Sequence, residues 1–170
     1  MVQLITLILI TLLLGSCGFH LRGSVTLPPV MAVTYIQDSR PATRISSKLK
    51  YALRKHDITV TDQIDSPLPD SSAATAILVL SNERFNQRLL SSGSSTLVKE
   101  FQLNYSISFE LKDPDGKTLL ARQTVRTSRE QTFNEEQVLA KSSEQETLQQ
   151  EMMADAIRQI LRRLQAVTQS

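Results

Sequence analysis

The most constraining feature of the chain is a strict alternation of apolar and polar side chains over residues 101–112. All six odd-numbered positions, from Phe101 to Leu111, are apolar or aromatic, and all six even-numbered positions are polar or charged. Successive side chains of a β-strand point to opposite faces of the sheet, so the pattern predicts a strand with one buried and one solvated face. Such a strand needs a covering layer on one side only.

The flanking sequence supplies the rest of the sheet and its cover. Strand patterns occupy residues 33–37, 58–61, 76–90 and about 118–132, and Asp113-Pro114-Asp115-Gly116 predicts a tight turn. Apolar residues with helical spacing predict one helix that includes Ile45 and Leu49, and a second, long helix over about 135–165. The sequence therefore predicts an α+β fold: a two-layer α/β sandwich with two helices packed on one face of a four- to five-stranded mixed sheet.

The amino-terminal segment differs from everything after it. Residues 4–14 are 11 residues of Leu, Ile and Thr, and no charged side chain precedes Arg22. That length is too short to span a bilayer core of about 30 Å as a helix but fits the apolar region of a signal peptide. Leu14-Gly15-Ser16-Cys17 then resembles the lipobox of bacterial lipoprotein signals. We expect a signal peptide over 1–16, a lipidated tether over 17–30 that begins at Cys17, and one domain over 31–170.

Composition argues against several classes of function. A formal net charge of +2 gives no case for nucleic acid, and the single cysteine excludes an intrachain disulfide. The two histidines are too few and too far apart for a zinc site, and no phosphate loop or nucleophile motif is present. His56 beside Asp57 is the one pairing that hints at catalysis, and a histidine at a helix end is more often structural. We therefore expect no catalytic residues, no metal and no dissociable cofactor.

Read from Cys17, the heptapeptide Cys-Gly-Phe-His-Leu-Arg-Gly resembles the start of the mature LptE family, the lipopolysaccharide-assembly lipoproteins of Gram-negative outer membranes. Similarity extends to Glu100-Phe101-Gln102 and to Leu139-Ala140-Lys141. The resemblance implies a protein that is not an enzyme. It implies an N-acyl diacylglycerol lipid on Cys17, anchorage on the periplasmic side of the outer membrane, docking as a plug inside the LptD barrel, assistance in assembling that barrel, and binding of lipopolysaccharide.

Lipopolysaccharide presents phosphates and acyl chains, so a binder needs cations beside apolar surface. Lys141 matches the family's lysine at the head of the last helix. Arg84 and Arg88 share strand parity with Asn82 and Asn86 and would point from one face toward the hairpin tip. Arg122 and Arg126 likewise share a face. The alternative is that these are ordinary solvated residues.

The solvated face of the alternating strand has a second possible use. Gln102, Asn104, Ser106 and Ser108 could hydrogen-bond to the polar inner wall of a barrel or simply face water. Two other functions stay open at this point: a generic lipid-anchored envelope protein or sensor that binds another envelope component, and a lipid-anchored enzyme with its site in the loops.

Overall fold

The computed structural model describes residues 26–39, 43–62, 64, 74–92, 98–134 and 141–169. A short 3₁₀ helix, Pro29–Met31, precedes the first strand. The elements that follow are β1 (Val33–Asp38), α1 (Arg44–Arg54), β2 (Thr59–Thr61), β3 (Ala76–Ser92), β4 (Val98–Lys112), β5 (Thr118–Asn134) and α2 (Lys141–Gln165), and a 3₁₀ turn over Ala166–Gln169 ends the described chain.

One five-stranded sheet has the order β2-β1-β3-β4-β5. β1 pairs in parallel with β2 and with β3, and such pairs need crossover connections, the first of which contains α1. β3, β4 and β5 are long antiparallel neighbours, and the turn at Asp113, where Gly116 has φ +86°, joins β4 to β5. The sheet is mixed, and the predicted α+β sandwich with two helices is confirmed.

Both helices pack on the same face of the sheet. The odd-numbered residues of β4 from Leu103 to Leu111 are all buried there, together with Val125 of β5. α2 contributes a continuous apolar stripe to this core: Met152, Met153, Ala156, Ile157, Ile160, Leu161 and Leu164. The alternation in the sequence thus reports a sheet with one covered face, as predicted.

Local chemistry sets the ends of α1. The Thr43 hydroxyl accepts a hydrogen bond from the backbone N–H of Ser46, a standard N-cap, and donates one to Asp38. At the other end, the His56 N–H donates to the Leu53 carbonyl at 2.9 Å, and Asp57 adopts a left-handed conformation with φ +60°. His56 and Asp57 therefore end a helix, which is the structural role considered for them above.

A β-bulge in β3 corrects one detail of the predicted strand. Ser81 pairs with Ser108 but Arg84 pairs with Ser106, so two residues of β3, Asn82 and Glu83, stand opposite one residue of β4. Asn82 takes φ +53°, a conformation that Asn tolerates better than most residues. The prediction that Asn82 shares the face of Arg84 is wrong because the extra residue shifts the register.

The predicted signal peptide 1–16, Cys17, most of the predicted tether 17–30, and residues 135–140 before α2 lie outside the described residues. The end of the tether segment is described. Leu27 is 7% exposed and Met31 is fully buried, and both belong to the hydrophobic core.

Candidate functional site

The face of the sheet opposite the helices, here called the open face, carries the even-numbered side chains of β4 and those of β5 from Arg122 onward. After the bulge in β3 it also carries Arg84, Asn86 and Arg88, because these pair with even-numbered residues of β4. Cross-strand pairing arranges the outer part of this face in three rows. The rows are Arg84–Ser106–Arg126, Asn86–Asn104–Ser128 and Arg88–Gln102–Glu130.

A shallow depression of about 600 Å³ lies over these rows. Its lining includes the amide and hydroxyl side chains of the middle row, together with Ser106, Gln102 and Arg126. Two hydrogen bonds orient the middle row: Ser128 donates to the Asn104 carbonyl oxygen at 3.0 Å, and the Asn104 amide donates to Gln102 at 3.4 Å. Tyr105 and Thr127 complete the lining, so the depression combines oriented hydrogen-bonding groups with apolar surface.

Charges near the turn end of the open face are paired. Glu110, whose side chain is 12% exposed, contacts Lys112 at 3.2 Å and Arg122 at 3.3 Å. The hydrogen bond from Lys112 lowers the pKa of Glu110, burial of the carboxylate opposes that effect, and Arg122 adds to the lowering. Arg122 and Arg126 occupy the same face, as predicted, but only Arg122 has an acidic partner among the described residues.

The arginines in the three rows lack such acidic partners within the described residues. Arg84, Arg88 and Arg126 are exposed, and none of them contacts an acidic side chain within the described part of the chain. Glu130, two strands from Arg88, is the acidic residue within the rows, and Glu100 lies on the open face of β4 two residues from Gln102. Three guanidinium groups thus remain available to a ligand on one polar surface. Directly after Arg88, Leu89 and Leu90 are 49% and 44% exposed, and Leu89 pairs with Phe101, on the side of the sheet opposite Arg88.

The covered face holds its arginines in ion pairs. Arg129 of β5 donates a hydrogen bond to Asp155 of α2, and Arg158 contacts the other oxygen of the same carboxylate. Arg163 reaches the Thr124 carbonyl at 3.1 Å and the Gln123 side chain at 3.3 Å. These contacts tie α2 to the edge strand. Sequence reasoning missed them, since pairing between elements requires knowledge of how α2 crosses the sheet.

Comparison with known proteins identifies the family to which this chain belongs. The family profile described as LptE, lipopolysaccharide-assembly, matches residues 30–164. The chain belongs to the LptE family. It is 30% identical to the LPS-assembly lipoprotein LptE of Photorhabdus laumondii over 166 residues, which cover 94% of this chain and 86% of that protein. A second relative, LptE of Yersinia enterocolitica, is 29% identical over 94% of this chain and 73% of its own length.

Solved structures agree with the LptE fold. The NMR structure of an uncharacterized lipoprotein B from Nitrosomonas europaea superposes with a TM-score of 0.72 at 31% identity, and the match covers 90% of this chain and 94% of that one. Rare lipoprotein B from Shewanella oneidensis gives a TM-score of 0.63 at 21% identity, over 79% of this chain and 94% of that one. The second likeness shows the shared fold alone.

For an LptE family member, the structure separates the three predicted lipopolysaccharide contacts. Arg84 and Arg88 lie on the open face, whereas Lys141 is the first residue of α2, the helix that packs on the covered face. Their role stays a prediction.

Two negative findings concern the described residues only. No group of three His, Cys, Asp or Glu side chains there is placed to hold a metal ion. Within the same residues, no helix combines the length and the apolar character needed to cross a membrane.

Proposed function

We propose that this LptE family protein is an outer-membrane lipoprotein that docks as a plug inside the LptD barrel, helps that barrel to assemble, and binds lipopolysaccharide during its transport to the outer leaflet. The family match supports the part in lipopolysaccharide assembly. The open face supports the finer statement. It carries three arginines without acidic partners among the described residues, beside amides and hydroxyls.

Each component of that surface suits one part of the proposed ligand. Guanidinium groups make charge-assisted, bidentate hydrogen bonds to phosphates. Amide and hydroxyl groups can bond to sugar hydroxyls. The lumen of a barrel is polar, so a plug can also expose such a face without loss. We propose Arg84, Arg88 and Lys141 as lipopolysaccharide contacts on this basis and on the family resemblance.

Anchorage follows from Cys17 in this proposal. Signal peptidase removes residues 1–16, and Cys17 carries a diacylglycerol on its sulfur and an acyl chain on its new amino group. Two acyl chains already suffice for stable membrane anchoring. Mass spectrometry of the amino-terminal peptide is the direct test. A mature chain that still contains residues 1–16, or a Cys17 without lipid, contradicts this part.

Depletion of the protein in its own host tests the function as a whole. We expect lipopolysaccharide to disappear from the cell surface and the LptD barrel to accumulate unfolded. Re-expression of the full chain restores both, whereas a Cys17→Ala form serves as the unanchored comparison. Normal surface lipopolysaccharide together with a correctly assembled barrel after depletion contradicts the proposal.

A further inference from the structure

We propose that the row Arg84–Ser106–Arg126, with the neighbouring row Asn86–Asn104–Ser128, forms a site for the phosphorylated sugar headgroup of lipopolysaccharide. The inference rests on the function proposed above and deepens it. It adds Arg126 and the polar middle row to the predicted contacts, and it places the headgroup on the open face of the sheet.

The first support is the placement of charge. Arg84 and Arg126 flank Ser106 from the two neighbouring strands, and both are exposed. Adjacent strands lie about 4.8 Å apart, so the two arginine positions are separated by about 10 Å across β4. Neither arginine contacts an acid in the described part of the protein. Two forked donors at that spacing can each hold one phosphate, or clasp one phosphate from both sides.

The second support is that hydrogen bonds fix the conformation of side chains in the middle row. The Ser128 hydroxyl is bound to Asn104, and Asn104 is bound in turn to Gln102, so these side chains are held in place before any ligand arrives. Groups that are already oriented lose less conformational entropy on binding. The row lies directly beside the two arginines, as sugar hydroxyls lie beside phosphates in a phosphorylated sugar.

The composition of the face favours a headgroup over a protein surface. The centres of protein interfaces are enriched in aromatic residues, Met and Arg, and depleted of Ser. The three rows contain two serines and no aromatic side chain, and amides and arginines make up most of the remainder. Leu89 pairs with Phe101 and so lies on the other face of the sheet, which leaves the described rows of the open face polar and charged.

Binding of lipopolysaccharide to the purified full chain tests the site. The probes are lipopolysaccharide and the same material after enzymatic removal of its phosphates. We expect Arg126→Ala to weaken binding by about tenfold, the effect of losing one charge-assisted hydrogen-bonding group. The double variant Arg84→Ala/Arg126→Ala should be weaker still. Loss of the phosphates from the ligand should weaken binding to the wild type and leave little difference between wild type and Arg126→Ala.

Arg122→Ala is the matched control. Arg122 is an exposed arginine on the same strand and the same face, four residues away, but it is paired with Glu110, which keeps Lys112 as a partner when Arg122 is removed. We expect this variant to bind within about twofold of the wild type, since it removes no free cation. Thermal unfolding of each variant shows whether the fold is intact.

The outcomes separate the inference from the proposed function. If the wild type binds lipopolysaccharide but Arg126→Ala and Arg122→Ala bind it equally well, the site is elsewhere and the proposed function stands. If Arg126→Ala instead loses only its co-purification with LptD, the open face contacts the barrel wall and the inference is overturned. If the wild type itself does not bind lipopolysaccharide, the lipopolysaccharide-binding part of the proposed function fails and the inference fails with it.

Discussion

The arginines on the two faces of the sheet differ in whether they contact an acidic side chain. On the covered face, Arg129 and Arg158 share the Asp155 carboxylate, so their charge joins β5 to α2. On the open face, Arg84, Arg88 and Arg126 have no acidic contact among the described residues. Arg126 and Arg129, three positions apart on β5, thus lie on opposite faces, and only Arg129 contacts an acid within the described residues. The covered face uses charge to join α2 to β5, whereas these three arginines of the open face contact no acid within the described residues.

The largest expected effect separates the faces of β4. Phe109 is fully buried beneath the helices, and Phe109→Ala should lower the free energy of unfolding by about 3–5 kcal/mol. Ser106→Ala, on the open face of the same strand, should change it by less than about 0.5 kcal/mol. Urea unfolding of the two variants measures both values. Similar losses would show that the open face is also part of the stabilising core.

The outer end of the covered face is held by a hydrogen bond from Tyr105 to Glu83. The Tyr105 hydroxyl donates to the carboxylate at 2.9 Å, and Tyr105 is 1% exposed. Tyr105→Phe should therefore cost about 1.5 kcal/mol, as for a hydrogen bond to a charged group. Tyr51→Phe is the control, because Tyr51 is 62% exposed. Equal melting temperatures for the two variants would mean that the bulged segment of β3 is stable without this bond.

A smaller difference should distinguish two arginines of β5. Arg129→Ala removes a contact between strand and helix, whereas Arg126→Ala removes none, and both put the same residue into the same strand. We expect Arg129→Ala to be less stable than Arg126→Ala by about 1 kcal/mol at low salt. High salt should shrink the difference, because ion pairs with an exposed partner are screened. If the order is reversed, the ion pair does not hold α2 to the sheet.

The smallest effect concerns the turn end of the open face. The pKa of Glu110 is lowered in the folded protein, chiefly by the hydrogen bond from Lys112. Its stabilising contribution is present above the unfolded pKa and is lost as pH falls through the folded value. Glu110→Gln should thus be less stable than the wild type near neutral pH, with a gap that closes as pH falls through the lowered pKa of Glu110. A gap that does not depend on pH would show that the charge of Glu110 contributes nothing.

Much of this architecture could be predicted from periodicity. The alternation in residues 101–112 identified both faces of β4, and the apolar spacing of α2 identified the stripe that covers one of them. The bulge could not be predicted, because a single Asn inside a strand has no distinctive sequence signal. That bulge decides which residues of β3 join the open face. It places Arg84 in register with Ser106, although Asn82 has the same parity.

The sequence also could not predict that Arg122 is paired with an acidic residue and Arg126 is not. Both residues stand in a polar stretch of one strand with the same spacing, and only the cross-strand register shows that Glu110 reaches one of them. The same holds for Arg129 and Asp155, which are 26 residues apart in the chain. Sequence patterns report which face a residue occupies, whereas charge pairing depends on register and on the path of the helix.

One paired measurement tests most directly whether Arg126 on the open face serves binding and Arg129 on the covered face serves stability. Lipopolysaccharide affinity and melting temperature are determined together for Arg126→Ala and Arg129→Ala in the purified full chain. We predict that Arg126→Ala keeps its melting temperature close to that of the wild type and loses about tenfold in affinity, while Arg129→Ala melts earlier and binds normally. Unchanged affinity in Arg126→Ala, or affinity that falls only where stability falls, would contradict the account.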